Sequence, residues 1–100
     1  MTVVIKKKAA LEQEALENWR ANARVTPYQA KAALLRVELL DEVEAIMADE
    51  TTPREVKLAW EYSGHFVRNS PLISALQGHP LLGLSDDSVD DIFRIAQSIE

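Results

Sequence analysis

Asp86, Asp87, Asp90 and Asp91 form the densest carboxylate group in the chain, two pairs spaced four residues apart. Paired acids on a helix can hold a divalent cation, but a calcium loop needs a glycine and alternating oxygen ligands, and both are missing here. Acids in the first turns of a helix also answer its macrodipole, so these four read as structural. A second group, Asp41, Glu42, Glu44, Asp49 and Glu50, reads as a solvated acidic face or an electrostatic docking surface. His65 and His79 each stand beside Gly or Pro, without metal-ligand spacing. Ser63-Gly64-His65 puts a hydroxyl near an imidazole, yet no nucleophile-elbow glycines accompany it. Three glycines, none suitably spaced, make no phosphate loop. No catalytic residue, cofactor or metal ligand is therefore expected, and the chain reads as a non-enzyme.

The elements that would position any site announce themselves by their starts. Thr26-Pro27-Tyr28-Gln29 and Thr52-Pro53-Arg54-Glu55 both read as capping boxes, with threonine at the N-cap, proline at the first helical position and Gln or Glu at the third. Ser70-Pro71 repeats the serine-proline part, and Ser85 opens a last helix with Leu84 and Val89 as a hydrophobic staple. From Pro27, Ala30, Ala33, Leu34 and Val37 recur at helical spacing, and Leu40, Val43, Ile46 and Met47 continue them. One long helix or two short ones fit this stretch, and Asp41 as a second cap favours a break. Val56, Ala59, Trp60 and Ser63 line a helix that Gly64 would end in a left-handed conformation. A short helix from Pro71 to about Gln77 and a last one from Asp86 to about Ser98 complete the series. No segment alternates at period two, so strands are not expected.

Residues 8 to 23 read as a further helix with a thin stripe of Leu11, Ala15 and Trp19. Two roles fit it: a helix docked loosely on the domain, or an arm that packs on a partner chain. The expected fold is all-α, a small bundle of four to six short helices, with residues 1 to 24 as an N-terminal helical arm and 25 to 100 as a compact helical domain.

Length and composition bound the rest. One hundred residues at 47% hydrophobic and 27% charged suit a single soluble domain, and zero cysteines remove disulfides and thiolate chemistry. The order of Val3 to Ile5 before Lys6 to Lys8 is not that of a secretory signal, and the uncharged run from Asn69 to Ser85 is too broken to span a membrane. The net charge of −5 divides into a basic tip at Lys6 to Lys8, a balanced middle and the two acidic groups. Only that tip, with Arg24, offers the clustered cations that nucleic acid requires, and a helix-turn-helix over Thr26 to Asp49 would present acids to the phosphates. Protein contact is easier to support. Trp60 and Phe66 read as core, whereas Tyr62, two positions from Trp60 on the same helix, reads as an exposed contact.

The second half resembles small proteins encoded in the tail or tail-fibre region of tailed bacteriophages and prophages. The residues that carry the resemblance are Ala59-Trp60-Glu61-Tyr62, Phe66, Arg68, Pro71-Leu72-Ile73, Leu82-Gly83-Leu84-Ser85-Asp86 and Val89-Asp90-Asp91-Ile92-Phe93-Arg94, with Leu39-Leu40-Asp41-Glu42-Val43-Glu44 before them. It covers about three quarters of the chain and leaves residues 1 to 24 aside. The resemblance implies a tail or tail-fibre assembly factor, or a small virion tail component, working in the bacterial host cytoplasm or carried in the virion. Its partner would be another tail or tail-fibre protein, with a homo-oligomer also open, and Leu11, Trp19, Tyr62 and Arg68 are the expected partner contacts. Two alternatives stand beside it: an acidic phage inhibitor of a host nucleic-acid-binding enzyme, and a small helical DNA-binding regulator.

Overall fold

The computed structural model describes residues 2–100, with side chains described from residue 11 onward. The lysine run at positions 6 to 8 thus has its side chains outside the described residues. Within them the chain is all-α apart from one short ribbon: α1 (Thr2–Asn22), β1 (Arg24–Val25), α2 (Pro27–Arg36), α3 (Leu40–Ala48), α4 (Arg54–Tyr62), β2 (Phe66–Val67), α5 (Pro71–Gln77) and α6 (Asp86–Gln97).

Three of the four expected helix starts are built as the sequence indicates. At Thr26 the hydroxyl accepts the Gln29 amide while the Gln29 side chain accepts the Thr26 amide, a complete capping box. The Ser70 and Ser85 hydroxyls accept from the amides of Ile73 and Ser88. The fourth start is different. Pro53, not Thr52, is the N-cap of α4, and no side chain caps it. The Thr52 hydroxyl instead donates to the Ile46 carbonyl at 2.6 Å, beside the Asp49 amide, and so helps to satisfy a carbonyl in the last turn of α3.

The α2–α3 break exists, but Asp41 does not cap it. Leu39 is the N-cap of α3, without a side-chain hydrogen bond. What breaks the helix is a Schellman motif at the end of α2: the Leu39 amide donates to the Leu34 carbonyl and the Glu38 amide to that of Leu35. Glu38 stands at the left-handed position with φ of 61°. A side chain there costs about 1–2 kcal/mol, part of which glycine would return as extra freedom in the unfolded chain. Glu38→Gly is therefore expected to raise stability by roughly 0.5 kcal/mol, read as a higher urea midpoint at unchanged slope. At the end of α4 the expectation of a left-handed Gly64 fails too. Ser63 is the cap in an extended conformation, and the left-handed glycine is Gly83, in the loop before α6.

The ribbon is the other departure from expectation. β1 and β2 pair antiparallel with Arg24 opposite Val67 and Val25 opposite Phe66, and the Arg68 amide adds a rung to the Ala23 carbonyl. Two-residue strands are too short to show alternation, so nothing in the residue pattern could reveal them. Their effect is large all the same. They fasten the end of α1 to the segment after α4, with Ala23, Val25 and Phe66 all buried.

The core is one cluster in which α6 lies along α2, its inner stripe of Val89, Phe93 and Ala96 meeting Ala33 and Leu34. Trp60 stacks on Phe66 with ring centroids 5.4 Å apart. The Gln29 amide group donates to the Ile99 carbonyl and holds the C-terminus against α2.

Candidate functional site

The four residues expected to contact a partner fall in three different settings. Leu11 is 56% exposed on α1, within the run of residues 11–18 that lies mostly in solvent. Tyr62 is 73% exposed at the end of α4, with Leu58 one turn before it on the same face. Trp19 is half-buried, and the Arg94 guanidinium lies 4.6 Å from its ring centroid, so it anchors the base of α1 to α6. Arg68 is 5% exposed and turned inward, so it presents no free contact. Trp19 and Arg68 thus serve the internal junction, and Leu11 and Tyr62 face outward.

That junction contains a charge cluster that goes beyond the reading of Asp86, Asp87, Asp90 and Asp91 as structural acids answering the helix dipole. Asp90 is 2% exposed and sits between two guanidinia. Arg20 Nη2 donates to its Oδ2 at 2.7 Å, and Arg68 Nε donates to its Oδ1 at 2.8 Å. Arg68 Nη2 also reaches Asp86 Oδ1 at 3.4 Å, where Gln77 donates at 2.7 Å. A signal was present: Asp90 lies three residues before Phe93 and beside Val89, on the buried stripe of α6 rather than its polar face. An acid at such a position must meet a buried cation.

Burial alone would raise the Asp90 carboxyl's pKa, but the hydrogen bonds from Arg20 and then Arg68 outweigh it and hold it below the ordinary value. Asp86 is lowered first by Gln77 and then by Arg68, and Asp49 by its hydrogen bonds from Thr51. Depressed carboxyl pKa values mean that the unfolded chain binds more protons over this range, so stability rises with pH there. The contribution is complete above the unfolded aspartate value of about 3.9 and is lost as pH falls through the folded values. Acid titration followed by circular dichroism should show unfolding below about pH 4, and an Asp90→Asn variant should have a flatter acid limb.

Two clefts remain. One of about 50 Å³ opens among α2, α5, α6 and the loop 78–85, lined by apolar side chains such as Ala30, Ile73, Leu82, Leu84 and Ile92, with Gln77 at its polar edge. It lacks the convergent polar groups that orient a small ligand. The other, about 100 Å³, has Thr51, Thr52 and His79 in its wall. Three of their polar atoms already serve the fold: Thr51 Oγ1 donates to Asp49, Thr52 Oγ1 to the Ile46 carbonyl, and His79 Nδ1 accepts the Leu81 amide. Among the described residues, no group of three or more His, Asp or Glu side chains is arranged to hold a metal, and no helix is long and apolar enough to cross a membrane.

The outward-facing apolar residues are therefore the best-supported functional feature. Sequence reading found Tyr62 and Leu11 but not Tyr28 and Leu35, which are 65% and 64% exposed, seven residues apart on α2. Both lie off the Ala30, Ala33, Leu34 and Val37 stripe, which was the available signal. No protein family, curated protein or solved structure matches this chain.

Proposed function

We propose that this chain is a non-enzymatic protein–protein interaction module of a tailed bacteriophage or prophage, either a tail or tail-fibre assembly factor or a small virion tail component, acting in the bacterial host cytoplasm. The observation that carries the reading is the outer face of α4. Tyr62, at 73% exposure, stands beside Leu58 at 48%, with Arg54, Glu55 and Glu61 exposed around them. An apolar pair with a tyrosine, edged by charges, is the anatomy of a binding hot spot and its rim. Tyrosine suits this role because it covers a large area while losing few rotamers on binding. The tail assignment rests on the resemblance, whose Ala59 to Tyr62 segment includes Glu61 and Tyr62 of this face.

The test is affinity capture from phage-producing cells with the whole chain and with Tyr62→Ala, identifying the captured proteins by mass spectrometry. Recovery of a tail or tail-fibre protein, weakened roughly 30-fold in Tyr62→Ala, supports the reading. Recovery of only a host nuclease or polymerase overturns it. That outcome would favour the acidic inhibitor, for which the exposed Asp41, Glu44, Asp49 and Glu50 supply a surface.

A further inference from the structure

We infer that α1 is a self-association element, pairing antiparallel with the α1 of a second copy of this chain about a crossing point at Leu11. The helix spans Thr2–Asn22, about 30 Å at 1.5 Å per residue. Its last turn is held by the body through Trp19, Arg20 and Ala23, and residues 11–18 before it are mostly in solvent. Leu11 and Ala15 are exposed there on one face, four residues apart, and Val4 falls seven residues before Leu11 at the same helical position. An apolar pair exposed along the described part of a helix calls for a partner helix.

Charge selects the partner and its direction. The first third of α1 carries Lys6, Lys7 and Lys8 and no acid; the following part carries Glu12, Glu14 and Glu17 and no base until Arg20. An antiparallel second copy, with Leu11 level with Leu11, brings position 8 level with Glu14 and positions 3 to 5 level with Glu17 to Trp19. Each basic block then lies alongside an acidic one, twice over by symmetry. A parallel pair would stack lysine on lysine and glutamate on glutamate. Opposite charges flanking an apolar seam are how paired helices choose orientation. The contact is at the small end for a stable interface, so the dimer is micromolar and salt-sensitive. It stands apart from the proposed function, whose contact face is on α4.

Sedimentation equilibrium of the full chain should show reversible association from 11.2 kDa to twice that mass. Leu11→Glu and the double variant Glu14→Lys, Glu17→Lys should each weaken it at least tenfold, with the circular dichroism of the body unchanged. Because the chain has no cysteine, orientation can be trapped directly. In the antiparallel pair the two copies of position 11 meet, while those of position 15 lie about 12 Å apart along the axis, beyond the ~7 Å reach of a disulfide. Mild oxidation should therefore cross-link Leu11→Cys and not Ala15→Cys. Equal cross-linking of both, or a monomer at all concentrations up to about 1 mM, would overturn the proposal.

Discussion

Replacing Asp90 by alanine is expected to cost about 3–5 kcal/mol, a large part of what a domain of this size has to lose. The cost does not come from the hydrogen bonds to Asp90 taken singly. It comes from leaving the Arg68 guanidinium, with its side chain 6% exposed, buried without the carboxylate that neutralises it. Arg20 is more exposed, at 17%, and can turn toward water when its partner is removed. The asymmetry yields a second outcome. Removing the buried charge together with its partner, as Asp90→Leu with Arg68→Met, should recover most of the loss, since a buried ion pair adds little over an apolar pair of similar volume. Chemical unfolding of the two variants checks both statements. If Asp90→Ala lost less than about 1 kcal/mol, the cluster would be behaving as a surface ion pair, and the account of the junction would be wrong.

Phe93→Ala is expected to be of similar size, about 3–5 kcal/mol, for an unrelated reason. Phe93 is 4% exposed at the middle of the inner stripe of α6, where that helix meets α2 and β1. Its ring also walls the apolar cleft of about 50 Å³, together with Trp60, Phe66 and Val89. Truncation would join the vacated space to a void already present, and the surrounding helices, tied by the ribbon and by Gln29 at the C-terminus, cannot collapse into it. Phe93→Leu should cost well under half as much, because it keeps most of the volume. Thermal unfolding should rank the variants Phe93→Ala, Phe93→Leu, wild type in rising midpoint.

Both predictions concern residues whose types were plain but whose company was not. The apolar stripe of α6, with Phe93 on it, follows from helical spacing alone. Asp90 sits on the same stripe, yet it was grouped with the other aspartates of the first turns, because a local rule about helix dipoles explained all of them equally well. The partners that set it apart come from the end of α1 and from beyond β2, seventy and twenty-two positions away. A similar contrast divides the expected contacts. Tyr62 could be placed outside because Trp60, two positions away, had to be inside. Arg68, expected as a partner contact, is buried instead, and no pattern signalled it because it follows a two-residue strand.

What the amino-acid sequence determined by itself is therefore local. Helix bodies come from apolar spacing, and starts at Thr26, Ser70 and Ser85 come from side chains that reach backbone amides within four residues, so both partners of each bond are named by the local sequence. Tertiary structure decided the rest. It recruited the Thr52 hydroxyl to the end of α3, made Glu38 take a left-handed turn between α2 and α3, and paired β1 with β2. It also enclosed Asp90 between two arginines. The ribbon and the Asp90 cluster join groups far apart in the chain, while the Thr52 and Glu38 contacts are short-range bonds set by how the loops fold, and none of the four leaves a periodic trace in the order of residues.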